Sequence, residues 1–156
     1  MRFKTNDNMT ERNSRYLIVD DSESHLELIK FGFKKAGVVD NLNFASDGEE
    51  ALRFLRAEGE YADRELPDVV LLDLNMPKLS GLEVLDQVKN DEDLKHIPVL
   101  ILSTSAASRD RKEAYEKRAN SYLIKPYELK TLCDMMGDIV KYWGNWNLPA
   151  HLAEAS

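Results

Sequence analysis

Asp68 to Leu74 reads Asp-Val-Val-Leu-Leu-Asp-Leu, four apolar residues in a row bracketed by aspartates. A strand with one wet face alternates apolar and polar side chains, and Val69 to Leu72 does not alternate. So short and continuous an apolar run suits an interior strand of a parallel sheet, covered by helices on both sides. Pro67 leads into it. A few residues later, Ser80-Gly81-Leu82-Glu83 has the spacing of a capping box and opens a helix carrying Leu82, Leu85 and Val88.

The same strand-then-helix unit recurs on either side. Arg15 to Asp20 (RYLIVD) is a buried strand ending in acid, and Leu26, Ile29, Phe33 and Ala36 then recur at helical spacing until Gly37 stops the helix. Leu42 to Ala45 is a second strand, and Asp47 with Glu50 caps a helix around Ala51 to Leu55. Pro98 introduces Val99 to Ser103, followed by a polar helix, Ser108 to Arg118, with only alanines and Tyr115 to bury. Ser121 to Ile124 is the fifth strand and Lys125-Pro126 a turn. The last helix, Glu128 to Trp143, carries Leu129, Leu132, Met136, Ile139 and Trp143 on one face. Five such units predict an α/β fold with a doubly wound, five-stranded parallel sheet. Right-handed crossovers put every strand's C-terminal end on one edge, where open α/β sheets carry their sites.

Four features meet on that edge: Asp20 and Asp21 after the first strand, Asp73 after the third, Ser103 and Thr104 at the fourth, and Lys125 after the fifth. Taken singly, each is ordinary turn or cap chemistry; their coincidence at four strand ends is the signal. Clustered carboxylates repel and raise one another's pKa unless a cation sits among them. Mg²⁺, which takes hard oxygen ligands from one or two carboxylates, waters and a phosphate, suits the set. Lys125 adds a point charge for a phosphoryl oxygen and Ser103 a hydroxyl donor.

Length and composition bound the rest. The 156 residues fit one domain, and the longest apolar stretches are strand-sized, far short of a bilayer span. Met1 to Ser14 is polar and without the apolar core of a signal peptide, and is expected to be a disordered N-terminal segment. A single cysteine, Cys133, allows no intramolecular disulfide, so a reducing, cytoplasmic setting is expected. The net charge of −7 disfavours direct nucleic-acid binding, and no membrane contact is expected.

These residues resemble a known family, the receiver domains of two-component response regulators. The resemblance rests on LIVDDSE (Leu17 to Glu23), DGEEAL (Asp47 to Leu52), DVVLLDLNMPKLSGLEVL (Asp68 to Leu85), PVLILST (Pro98 to Thr104) and YLIKPY (Tyr122 to Tyr127). It runs from about Arg15 to Trp143, so the receiver is expected at 15–143, with a C-terminal extension at 144–156. It implies a flavodoxin-like (βα)5 fold with strand order 2-1-3-4-5. It also implies that Asp73 is the phosphoacceptor and Asp21 a direct Mg²⁺ ligand, that Asp20 acts from behind the direct ligands or through a water, and that Asn75 is a ligand through its backbone carbonyl. Lys125 matches the family's phosphate-binding lysine, Ser103 its switch hydroxyl, and Tyr122 the aromatic that follows that hydroxyl. Thr104 stands where the family usually has a small residue, often Ala, and adds a second hydroxyl on the phosphate side. Asn75 and Ser105, two residues past the acceptor and the switch hydroxyl, are placed to tune the approach of water.

At finer grain, NDEDLKHIPVLILSTS (Asn90 to Ser105) and YWGNWNLP (Tyr142 to Pro149) look like the single-domain regulators paired with bacterial phytochromes, so a sensor histidine kinase of that kind is the expected partner. On this reading the chain is a phosphoacceptor that modifies itself and not a turnover enzyme. A haloacid-dehalogenase-type phosphatase uses similar residues, but there the nucleophile comes on the first motif strand with a second Asp two residues on, and here that position is Asn75. A pseudo-receiver scaffold typically lacks part of the acidic pocket or the lysine. A transcription factor needs more than the 13 residues after Trp143. Output is therefore expected from the receiver surface, through the weakly apolar helix Ser108 to Arg118 and through a homodimer built on the last helix with Met135, Tyr142 and Trp146.

Overall fold

A computed structural model describes residues 13–151. Five parallel strands, β1 (Tyr16–Val19), β2 (Leu42–Ala45), β3 (Val69–Leu72), β4 (Val99–Ser103) and β5 (Ser121–Ile124), lie in the order β2-β1-β3-β4-β5. Five helices follow them in turn: α1 (Glu23–Lys35), α2 (Gly48–Leu55), α3 (Gly81–Lys89), α4 (Ser108–Glu116) and α5 (Leu129–Ile139). The sequence-based order and class are therefore those observed.

The apolar run that decided the fold is buried throughout, and its residues alternate between two cores. Val70 and Leu72 face α2, α3 and α4 together with Leu17, Val19 and Ile101; Val69 and Leu71 face α1 and α5 with Tyr16, Ile18 and Leu100. Period-two alternation across a sheet with helices on both sides is what makes such a strand apolar at every position.

Local signals in the sequence do what their chemistry dictates. The Ser22 hydroxyl accepts from the His25 amide to start α1, and Gly37, at φ +88°, ends it. The Gly37 and Val38 amides donate to the carbonyls of Lys34 and Phe33, the paired bonds of a Schellman cap. Asp47 caps α2 by accepting from the Glu50 amide at 2.8 Å, while the Glu50 carboxylate reaches back to the amide of Ser46, one residue earlier than a standard capping box.

Three expectations need correction. Tyr115 is 49% exposed, so Ala114 is the one buried residue of α4. Leu129 is 45% exposed, because α5 turns its first residue out and packs through Leu132, Met136 and Ile139. The last helix does not stop at Trp143: it widens into π-type turns over Val140–Trp146. Gly144 in those turns is buried, and a Cβ there would strike the hydroxyl of Tyr16. Beyond it Pro149 is buried and His151 Nε2 lies 2.9 Å from Asp68, so residues 144–151 run beneath the N-terminal edge of the sheet. Most of the expected N-terminal disordered segment lies outside the described residues; its last residue, Ser14, is buried and donates its hydroxyl to the Gly144 carbonyl.

A buried lysine was not foreseen. The Lys89 ammonium donates to the carbonyls of Lys95 (3.2 Å) and Ile97 (2.8 Å) and to Asn120 Oδ1 (3.0 Å), joining the loops that lead into β4 and β5. Burial, helped by Arg118, pulls its pKa down to about 8.

Gly81 sets where α3 meets the sheet. Its amide donates to the Leu74 carbonyl at 2.9 Å, and a Cβ there would collide with the backbone of Asp73 and Leu74. Gly81→Ala is therefore expected to lower stability by about 1–3 kcal/mol, the usual range for forcing atoms into a packed site, as read from urea unfolding.

Candidate functional site: an acidic pocket with one lysine

Strand register builds the site. Val19 lies opposite Leu72 across the β1–β3 ladder, so the next residues, Asp20 and Asp73, emerge side by side. Ladder hydrogen bonds continue into them: the Asp73 amide donates to the Val19 carbonyl (3.0 Å) and the Asp20 amide to the Ala45 carbonyl (3.1 Å). On the far side the Lys125 amide donates to the Ser103 carbonyl at 2.8 Å, which fixes where the lysine leaves β5. Lys125 then reaches back over the sheet edge with its ammonium buried.

Asp20, Asp21 and Asp73 each offer a carboxylate oxygen, and these oxygens all lie within 4.8 Å of one another. Asp20 and Asp73 are buried and Asp21 is exposed. Lys125 Nζ is 2.5 Å from Asp20 Oδ2 and 3.7 Å from Asp73 Oδ2. Asp20 Oδ1 accepts from the Ser22 amide at 2.9 Å, and Asp73 Oδ1 lies 3.4 Å from the Asn75 amide. The sequence-predicted carboxylates and the lysine thus come together. Three anions facing one ammonium leave an uncompensated negative charge, the donor set that a divalent cation with hard oxygen preferences would take.

Ser103 is fully buried, whereas Thr104 and Asn75 are exposed. Ser103 Oγ accepts from the Ser105 amide at 3.2 Å, and the Tyr122 hydroxyl donates to the Ser105 carbonyl at 2.9 Å. Ser105 also donates its own hydroxyl to Asp110 Oδ2 (2.5 Å) in the first turn of α4. One residue therefore ties the buried serine, the aromatic and α4 together. Sequence reasoning missed a neighbour of the pocket: His25 Nδ1 lies 3.1 Å from Lys125 Nζ and 3.6 Å from Asp20 Oδ2.

Burial pushes the Asp73 carboxyl above the ordinary carboxylate range; Lys125 pulls it back, and the Asp20 and Asp21 anions push it up again. A carboxyl raised on folding favours the folded state while neutral. That advantage is lost as pH rises through the unfolded value and on past the raised folded one. Without metal, Asp73→Asn is therefore expected to melt higher than wild type at pH 7 and to lose most of that gain near pH 4. Thermal unfolding in EDTA at the two pH values reads this directly, and equal melting at pH 7 would show that no penalty exists.

Comparisons with known proteins agree with this geometry. The model of the response regulator receiver domain matches residues 16–137. The chain is 42% identical over 131 residues to the probable methanogenesis regulatory protein FilR2 of Methanothrix harundinacea, covering 84% of each. It is 39% identical over 127 residues to the response regulator Rcp1 of Synechocystis, covering 81% of this chain and 86% of that one. The structure of Rcp1 in its Mn²⁺-bound form superposes with a TM-score of 0.77 at 35% identity, over 92% of this chain and 99% of the other. That of the phosphorylated cyanobacterial phytochrome response regulator RcpA does so with a TM-score of 0.83 at 36% identity, over 88% and 98%. Receiver domains bind a divalent metal, and the donor set here fits one. With family model, fold and acidic pocket in agreement, the chain belongs to the response regulator receiver domains of two-component signalling.

Proposed function

We propose that Asp73 accepts a phosphoryl group from a phosphohistidine on a sensor histidine kinase. The observation that carries this reading is the buried Asp73 carboxylate, packed within metal-holding distance of Asp20 and Asp21 and faced by one ammonium. A carboxylate oxygen of Asp73 attacks phosphorus as the bond to the donor nitrogen breaks, leaving an aspartyl phosphate. Asp20, Asp21, Asp73 and the Asn75 carbonyl would hold Mg²⁺. When bound, the ion neutralises charge between the anionic acceptor and the anionic phosphoryl group. Lys125 serves another phosphoryl oxygen, with Ser103 and Thr104 supplying hydroxyl donors. The work is positioning and charge neutralisation, with little covalent chemistry left to the protein. The chain modifies itself and does not turn over a separate substrate.

Output follows from the Ser105 linkage. When Ser103 turns its hydroxyl to a phosphoryl oxygen, it releases the Ser105 amide. The Ser105 carbonyl and hydroxyl then shift their hold on Tyr122 and Asp110, and so on the start of α4. With Ala114 as its one buried residue, α4 has little packing to resist such a shift.

The kinase is proposed to be a bacterial phytochrome, supported by the likeness to RcpA. Residues 15–143 are taken as the receiver unit and 144–156 as a C-terminal extension, whose described part, 144–151, leans on it. Among the described residues no helix is long and apolar enough to cross a membrane. The single cysteine, Cys133, supports a reducing, cytoplasmic setting, and the net charge of −7 supports a function without nucleic-acid binding. The turns after α5 support a second element, a homodimer: Tyr142 and Trp146 are 55% and 47% exposed, and Tyr142 lines a groove with Leu123 and Met135. A twofold pairing of like surfaces would bury them.

Asp73→Asn should keep the fold and abolish labelling by a phosphorylated kinase or by acetyl phosphate; full labelling would remove the assignment. Asp21→Ala should weaken Mg²⁺ binding by titration, whereas Lys125→Ala should leave it largely intact and impair the response to phosphorylation. Tyr142→Lys should shift light scattering from dimer to monomer, and a monomeric wild type would rule the dimer out while leaving the phosphoacceptor reading standing.

A further inference from the structure

His25 belongs to the first turn of α1 and lies 100 residues from Lys125 in the chain, yet its Nδ1 is 3.1 Å from the lysine Nζ. An ammonium has only donors, so a hydrogen bond at this contact needs Nδ1 as the acceptor, which is the Nε2–H tautomer. Lys125 Nζ is thus hydrogen-bonded to Asp20 at 2.5 Å and to His25 at 3.1 Å, and lies at ion-pair distance, 3.7 Å, from Asp73.

We propose that His25 is a positioning residue that holds Lys125 at the mouth of the pocket, on the side from which it reaches a phosphoryl group on Asp73. This rests on the phosphoacceptor reading above and adds a residue to it. The argument is one of competition. Asp20 has the shortest contact with the ammonium, and the lysine must still serve Asp73. A carboxylate at position 25 would give the cluster a fourth anion and draw Lys125 further away. An apolar side chain would take that acceptor away and leave an ammonium donor facing a cavity of about 150 Å³ lined mostly by Leu28, Ile29, Pro126 and Leu132, with Thr104 and Tyr127 at its side, and loss of a hydrogen bond to a charged group is costly. A neutral acceptor does neither. It keeps one hydrogen bond on Lys125 without changing the charge of the site. Being nitrogen on a half-exposed ring, it also does not compete with carboxylate oxygens for a hard cation.

The test compares the wild type with His25→Ala and His25→Asn, since the Asn Oδ1 supplies an acceptor near the place of Nδ1. Each intact chain is first checked for folding by circular dichroism. Removing a hydrogen bond to a charged group predicts about a tenfold loss in acetyl phosphate labelling rate and in beryllofluoride affinity for His25→Ala. Mg²⁺ affinity should stay within about twofold, and His25→Asn should recover most of the loss. A second readout needs no metal: imidazole ¹⁵N shifts should show the Nε2–H tautomer in the wild type and a changed tautomer balance in Lys125→Met. The proposal is overturned if His25→Ala labels like wild type, if His25→Asn is as impaired as His25→Ala, if Mg²⁺ affinity falls along with labelling, or if the tautomer ignores Lys125→Met. If instead the wild type and Asp73→Asn label alike, it is the phosphoacceptor reading that fails, and the tautomer result still decides whether His25 holds Lys125.

Discussion

Two aspartates are forced together by strand register. Because Val19 pairs with Leu72, Asp20 and Asp73 leave the sheet as neighbours, and Asp21 follows on the same rim. Two like charges about 4 Å apart near a protein surface repel by about 4 kcal/mol, a large fraction of the roughly 5–15 kcal/mol that keeps a domain folded. The chain cannot relieve this by moving the aspartates, since ladder hydrogen bonds lock the strands that carry them. It places Lys125 there instead, and one ammonium cannot balance three carboxylates. Affinity for a cation and for a group that brings its own counter-charges follows from that imbalance.

The rest of the molecule either fixes this arrangement or listens to it. Gly81 lets α3 lie against the backbone of Asp73, and Lys89 clamps the loops at the opposite end of β4. These parts are buried and held by hydrogen bonds. The β4–α4 loop is different. Ser105 spends its amide, carbonyl and hydroxyl on Ser103, Tyr122 and Asp110, so a change at Ser103 cannot stay local. It reaches a helix held mainly by Ala114, next to the edge strand β5. A stiff frame around the pocket and a lightly packed helix beside it give a local charge event a surface consequence.

Much of this was legible in the sequence because the governing interactions are local or periodic. Val69 to Leu72 announced a strand buried on both faces, Gly37 and Asp47 announced helix ends, and the acids and lysine stood at strand ends whose common edge follows from crossover handedness. What was missed depends on which distant segment lies across from a residue. His25 reads as an unremarkable first-turn residue until β5 brings Lys125 to it. Lys89 reads as a solvated helix end, but its acceptors come from the loops around β4. Helical periodicity located the stripes of α4 and α5 but not how far their partners extend. Tyr115 and Leu129 stay largely exposed, and the return of residues 144–151 under the sheet is set by Tyr16 and Asp68, far back in the chain.

The claim that this acidic rim exists to receive a phosphoryl group on one particular oxygen donor is open to direct chemistry. Borohydride reduces an aspartyl phosphate to homoserine, so the protein can be incubated with acetyl phosphate, trapped and sequenced by mass spectrometry, with and without Mg²⁺. Homoserine at position 73 alone, formed only with Mg²⁺, is the outcome this structure calls for. Homoserine at position 20 or 21, or formation at position 73 that ignores the metal, would mean that the pocket does not work as its geometry implies.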